Sequence, residues 1–494
     1  MNAYLWLLPL AAVLLLALPG ALADEGPGPQ VALAGSYDIS GEAEDMVVTG
    51  GYAYIAGGGD GLVVVNVSDP TNLVWMGEQS TYGYAEGVTV AGGYAYIADG
   101  SYGLVIVNVS DPENPTWTGS YDIGDYAMGV AVAGGYAYIA SGEDGLVVVN
   151  VSDPGNPTRV GDYDTSGYAE GVTVAGGYAY IADGIHGLVV VDVSDPANPT
   201  YAEDYDTNDY TYGVAVAGDY AYVADGGGGL VVVDVSNLAN LRWIASYDTS
   251  GYTYDVAVAG GYAYIVYGVD GLVVVDVSSN PASPTRRGNY DIYGYAKGVV
   301  VAGGYAYIAY GVDGLVVLGP DTDDDGVADV RDLFPSDPDE WADGDGDGVG
   351  DNGDYFPSNP FEWVDTDGDG RGDNGDSFPS DPEEWVDSDG DGAGDNGDPM
   401  PDNALLNAWW HVGLILLIVF GAVAAASFQY GQYTISWEVS GKLDELRAKI
   451  AEFKEKGINT NELERVLAEC EAEMGAVSEE LCVHGPSCCH SRRS

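Results

Sequence analysis

The 494-residue chain is poor in bases: 15 lysines and arginines stand against 78 aspartates and glutamates, a formal charge of −63. That balance excludes nucleic acid as a partner, because binding a phosphate backbone rests on Lys and Arg displacing its counterions. Cysteine is as scarce. All four, Cys470, Cys482, Cys488 and Cys489, fall at the far end of the chain, so no disulfide rigidifies anything before them. Of the four histidines only His186 precedes His411. A Cys–His pair is thereby excluded from the long N-terminal region, and a Ser-His-Asp triad there would hang on one residue. Helical periodicity is missing from the same region.

What fills that region is a repeat. The stretch GGYAYIADG at 92–100 has near-copies whose first tyrosines are Tyr52, Tyr94, Tyr136, Tyr178, Tyr220, Tyr262 and Tyr305, spaced by 42 residues and once by 43. Each unit holds four short apolar or alternating runs, for example AEGVTVAG, GYAYIADG, GLVIVNVSD and PTWTGSYDI. Val, Ile and Tyr suit strands covered on both faces, and the intervening Gly, Asp and Pro supply tight turns. Four strands per unit of about 40–45 residues is the signature of a propeller blade, and seven units can close a ring. The expected fold class is therefore all-β, a seven-bladed β-propeller over 31–319. The last unit stops after its third strand, while LAGSYDIS at 33–40 copies an outer strand ahead of the first unit. The N-terminal strand is expected to complete the last blade and remove an open edge.

The runs GLVVVNVSDP, GLVIVNVSDP and GLVVVDVSDP resemble the LVIVD repeat family. The resemblance implies a β-propeller of the kind found on bacterial and archaeal surface proteins, and it implies little about activity, since propellers host many functions.

Four 22-residue units follow, beginning at Asp321, Asp343, Asp365 and Asp387, the third reading DTDGDGRGDNGDSFPSDPEEWV. Carboxylates recur at offsets 1, 3, 5, 9 and 12: Asp321, Asp323, Asp325, Asp329 and Asp332; Asp343, Asp345, Asp347, Asp351 and Asp354; Asp365, Asp367, Asp369, Asp373 and Asp376; Asp387, Asp389, Asp391, Asp395 and Asp398. Calcium takes six to eight oxygens, and this spacing turns successive carboxylates toward one centre, with Gly at offset 6 permitting the turn and the carbonyl at offset 7 adding a ligand. The offsets match an EF-hand loop except that Asp replaces the last Glu and no helix flanks it. The segment resembles thrombospondin type 3 repeats, which wrap calcium with little regular structure. A regular FPxxPxEW linker departs from that family, so the ligands it implies are firmest at offsets 1, 3 and 5. Phe334, Phe356 and Phe378 with Trp341, Trp363 and Trp385 are expected to pack between loops as a small core. A disordered acidic linker is the alternative, but repulsion alone gives no reason to keep Gly, Phe, Pro and Trp in phase.

The two ends read as membrane signals. Residues 1–23 resemble a secretory signal peptide with Ala21-Leu22-Ala23 before the cleavage point, followed by a linker at 24–30; a retained anchor is the alternative. Residues 408–428 carry no Lys, Arg, Asp or Glu and have the length of a transmembrane helix. Eight of the fifteen bases follow that run, which puts the tail in the cytoplasm and the propeller outside. In the tail, Leu443, Leu446, Ile450 and Phe453, then Leu463, Val466, Leu467, Cys470 and Met474, repeat at helical spacing, so 438–481 reads as a helical hairpin or coiled coil that self-associates or plugs the membrane face. Cys482, His484, Cys488, Cys489 and His490 match no standard zinc spacing, and 482–494 reads as a disordered end.

Two sets of residues offer partners. In the loops leading into the inner strands a tyrosine recurs, Tyr84, Tyr126, Tyr168, Tyr210, Tyr252 and Tyr295, with Glu42 in the first blade. Such a ring can stack on sugars or peptides or pack each blade on the next. Asn66, Asn108 and Asn150 begin N-V-S sequons that fit glycosylation; Asp192, Asp234 and Asp276 hold the place in the next three blades, as an interchangeable turn cap would. The blades read as nearly uniform, and no carboxylate pair stands out for catalysis. The chain reads as a membrane-anchored surface protein whose propeller recognises an extracellular glycan or protein ligand on a calcium-stiffened stalk, with no catalytic residue assigned. A surface-tethered carbohydrate-active hydrolase or lyase is the alternative.

Overall fold

The structure, a computed structural model, describes residues 30–402 except 269, 270, 279, 292, 293, 313, 399 and 400, together with nine helical residues between 444 and 468. The expected signal peptide, the 408–428 span, the 482–494 end and most of 438–481 lie outside the described residues. Among the described residues no helix is long and apolar enough to cross a membrane. Compactness divides the chain after Trp341.

The first unit is a seven-bladed β-propeller of seven four-stranded antiparallel sheets. Blade one runs Asp45–Thr49, Tyr52–Ala56, Leu62–Asn66 and Val74–Gln79 from the innermost strand outward, and five further blades repeat that order. Blade seven has Gly298–Ala302, Tyr305–Ala309 and Leu315–Pro320 from the C-terminal side, and its outer strand is Val31–Tyr37. The expected closure is therefore what the chain does: Ala32 faces Gly319 and Tyr37 faces Leu315 across this pairing.

The sequence YAYI explains how blades stack. Along the second strand of blade one, Tyr54 and Ala56 face one way and Ala53 and Ile55 the other, the two-residue period of a strand. Tyr54 packs on Ala95 and Ile97 of blade two, Tyr96 on Ala137 and Ile139 of blade three, and so on to Tyr307 on Ala53 and Ile55 of blade one. Each interface fits a large side chain into the space an alanine leaves, so seven identical motifs fill seven identical gaps. Backbone bridges join neighbouring blades at six of the seven junctions, among them Gly58 to Ala85, Gly100 to Ala127 and Ala43 to Gly311, and at the seventh the Ala296 amide donates to the Gly268 carbonyl at 3.3 Å.

Where inner strands begin they crowd together. A Cβ built on Gly171 would lie 2.7 Å from the Tyr212 carbonyl oxygen of the next blade, so a side chain at this position would require the adjoining strands to shift.

The first acidic repeat belongs to this unit. Ala328 is fully buried in the cluster between blades seven and one, beside Ala32, Ala34 and Val317, which is why the compact unit extends to Trp341. The second unit contains the other three repeats, built of turns and bends without strands among the described residues. In the tail, residues 444, 447, 448, 451, 454, 464, 465, 467 and 468 are helical, and Lys454 pairs with Glu464 across the GINTNE interruption at 2.5 Å.

Candidate functional site

Two arrangements carry chemistry, and the first is the set of aspartate loops. In each repeat the carboxylates at offsets 1, 3 and 5 converge: Asp321, Asp323 and Asp325; Asp343, Asp345 and Asp347; Asp365, Asp367 and Asp369; Asp387, Asp389 and Asp391 each offer an oxygen within 4.8 Å of the others. The turn that achieves this runs through the glycine at offset 6, where Gly348 has φ +93°. The offset-1 aspartate fixes the turn from within, Asp343 accepting from the Gly346 and Gly348 amides at 2.6 and 2.9 Å.

The offset-9 aspartates do something else. Asp373 accepts from the Thr366 amide and hydroxyl with its two oxygens, at 2.8 and 2.6 Å. Asp329 does the same with Thr322 and Asp395 with Ser388, while Asp351 holds the Gly344 amide. Their own amides bond back to the residue before the loop, as Asp373 does to Val364. Offset 9 is thus a latch that closes the loop. At offset 12, Asp332, Asp354 and Asp376 each accept from the amide of the phenylalanine two residues on, at 2.6–2.7 Å, and Asp398 is buried at the equivalent place.

Burial in these repeats is inverted. Of the six aromatics expected to form a small core, Trp341 and Trp363 remain 45% and 40% exposed, Phe334, Phe356, Phe378 and Trp385 are half-buried, and Trp385 lies under the Arg371 guanidinium. Apart from Ala328, the buried side chains are carboxylates: Asp321, Asp332, Asp354, Asp365, Asp376 and Asp398. Both oxygens of Asp323 and of Asp345, and one each of Asp325, Asp332, Asp347, Asp367, Asp389 and Asp391, are shielded from solvent without a hydrogen-bond partner. Crowded, unpartnered carboxylates are costly to bury. An all-oxygen donor set of this kind fits a hard divalent cation such as calcium.

The second arrangement lies where the inner strands start. Three of the tyrosines singled out in the sequence reach back to the preceding blade. Tyr84 donates to Glu42 and Glu44 at 2.7 and 2.8 Å, Tyr126 to Glu86 at 3.0 Å, and Tyr210 to Glu170 at 2.6 Å. Tyr84, Tyr126, Tyr168 and Tyr210 are half-buried, whereas Tyr252 and Tyr295 are exposed. Glu44, Glu86 and Glu170 belong to a second ring that the sequence reading missed, completed by Met128, Tyr212, Tyr254 and Lys297, one per blade. Lys297 pairs with Glu44 at 3.3 Å and lies 5.5 Å over the Tyr254 ring, which packs on Tyr212, and that on Tyr210.

Burial governs the charges here. It pushes Glu86 up to about 7, with Glu44 and Glu170 adding repulsion while the Tyr126 hydroxyl and Lys297 pull it back. Burial likewise raises Glu170, against the Tyr210 hydrogen bond. Asp45 and Asp255 take the place of the inner-strand glycine, and burial lifts them to about 6 and about 7. Each carboxylate ties its blade to the next, Asp45 to the Val88 amide at 2.9 Å and Asp255 to the Val299 amide at 3.0 Å. The signal that marks this ring is a variable column, Glu, Glu, Met, Glu, Tyr, Tyr, Lys, beside columns that hardly vary.

The sequon asparagines serve as turn caps. Asn66, Asn108 and Asn150 accept from the amides of Ser68, Ser110 and Ser152, as Asp192, Asp234 and Asp276 do from Ser194, Ser236 and Ser278. In the aspartate blades the serine hydroxyl also turns to the carboxylate. His186 stands 4.0 Å from the buried Asp183, whose other partner is Thr165.

Among solved structures, "Crystal structure of RRP9 WD40 repeats" is similar with a TM-score of 0.50 at 10% identity, covering 60% of this chain and 98% of that one. "Structure of U3-55K" has a TM-score of 0.49 at 10% identity, covering 59% and 100%. At that identity the likeness concerns the fold alone. No curated protein matches the chain. The LVIVD repeat model matches seven times, at 40–81, 82–123, 124–165, 166–207, 209–249, 250–292 and 293–318. With one match for each blade and more than half of the sequence covered, the chain belongs to the LVIVD repeat family.

Proposed function

We propose that the chain is a cell-surface recognition protein. Its propeller takes an extracellular glycan or protein ligand, its acidic repeats fold around calcium as a stalk, the apolar segment 408–428 anchors it, and the tail lies in the cytoplasm. The observation that carries this reading is the inverted burial of the acidic repeats. Carboxylates occupy the interior and tryptophans the surface, which is favourable only if a cation supplies the missing charge. A chain stiffened in this way depends on an environment rich in calcium, which is outside the cell.

The recognition face is the double ring at the start of the inner strands. Tyr252 and Tyr295 offer exposed rings for stacking, while Glu86, Glu170 and Lys297 offer both signs of charge within reach of one ligand. Glycan and peptide arrays probed with the full chain test this. Binding of one ligand class by the wild type, lost in Glu86→Gln/Tyr252→Ala at unchanged melting temperature, is the expected outcome; no binding to either class contradicts it.

One observation favours a second reading, a surface-tethered hydrolase or lyase. Glu86, held near pH 7 beside Glu44 and Glu170, has the property of a general acid. Turnover of an array-positive glycan would shift the balance to that reading.

A further inference from the structure

The first aspartate loop differs from the other three in what it touches. Its chain leaves the third strand of blade seven at Pro320. The Asp321 amide donates to the Gln30 carbonyl, just ahead of the N-terminal strand, at 3.3 Å, and the Asp329 amide to the Pro320 carbonyl at 2.8 Å. Between them Ala328 enters the core that blade seven shares with blade one, against Ala32 and Ala34 of the N-terminal strand. The loop therefore sits on the seam where the two ends of the propeller chain are joined only by hydrogen bonds and packing.

The same loop has the marks of a cation site. Asp321, Asp323 and Asp325 converge within 4.8 Å. Independently, Asp332 is only 7% exposed, its Oδ2 has no partner, and it faces the charges of Asp325, Asp323 and Asp329. Without a cation these groups repel one another and push the loop off the seam; with one they draw together and hold Ala328 in place.

We propose that a divalent cation held by Asp321, Asp323, Asp325 and Asp332 is the clasp of the propeller, so that closure of blade seven by the N-terminal strand is linked to calcium. This rests on the reading that the aspartate loops bind calcium, and it goes beyond it: one ion acts on the recognition domain, not on the stalk. Linkage of this kind stabilises the closed ring in proportion to the occupancy of the site.

The test uses the full chain in three forms: wild type, Asp323→Asn/Asp325→Asn in the first loop, and Asp367→Asn/Asp369→Asn in the third. Bound calcium is counted by equilibrium dialysis, and hydrogen exchange is followed at the N-terminal strand amides of Ala32 and Leu33, with calcium and with chelator. Wild type is expected to lose protection at least tenfold on chelation. The third-loop variant is expected to lose one ion and keep that response; the first-loop variant is expected to lose one ion and the response with it. If the first-loop variant loses one ion while strand protection still follows calcium, the clasp is refuted and calcium binding by the loops stands. If wild type binds no calcium, both fail. Should the first-loop variant not fold, the wild-type exchange alone decides: protection unchanged on chelation overturns the proposal.

Discussion

Threonine and aspartate stand 18 residues apart in three blades, and in each the hydroxyl donates to the buried carboxylate: Thr81 to Asp99, Thr165 to Asp183 and Thr207 to Asp225. Where the first position is Ile39 or Ile123, the second is Gly57 or Ser141, and the Ser141 hydroxyl is left without a partner. A methyl group cannot donate, so a carboxylate is tolerated only opposite a hydroxyl. That rule was legible in the sequence, because seven repeats act as their own comparison. The cost was not, since it depends on burial: Asp183 and Asp225 are raised to about 6, first of all by desolvation. Because the folded state holds these protons more tightly than the unfolded chain, their contribution to stability is full below about 4 and is lost as pH rises through 6. Asp183→Asn is therefore expected to melt at least as high as wild type at pH 7, and the difference between the two is expected to shrink or reverse at pH 4. Thermal melts at the two pH values check this; a variant equally destabilised at both would contradict it.

Within the elements, the second strand shows how far a pattern reaches. YAYI was legible as a strand covered on both faces, and alternation puts both tyrosines on the same face, but which of them lies deep between blades is seen only in the structure. Tyr180 is buried against the Ala221 and Val223 side of blade five, whereas Tyr178 is half-exposed. Tyr180→Ala is expected to cost about 3–5 kcal/mol in urea unfolding and Tyr178→Ala about 1 kcal/mol or less; similar costs would contradict the interleaving. The acidic loops were legible to a different depth. The carboxylate spacing and the turning glycine stood in the sequence, but the latch at offset 9 did not, because it depends on the backbone bringing Asp373 to Thr366. The aromatic linkers were legible as a phase, but phase alone did not say that Trp341 and Trp363 stay exposed.

For the molecule as a whole, two features were readable from the chain alone: the closure, from one orphan outer strand at 33–40, and the net charge of −63. The ring of Glu44, Glu86, Glu170 and Lys297 was not, because its members are about 40 residues apart or more and meet only when seven blades place their inner strands around one axis. Charge and closure also bear on each other. A chain so acidic repels itself when compact, and the carboxylates that repel most are those the loops gather and bury. Calcium titration of the full, detergent-solubilised chain, followed by calorimetry together with tryptophan fluorescence, tests the central claim most directly. The account predicts about one ion for each of the four converging loops, bound at roughly millimolar calcium or below, with the fluorescence changing over the same range. Fluorescence and heat that ignore millimolar calcium would contradict it.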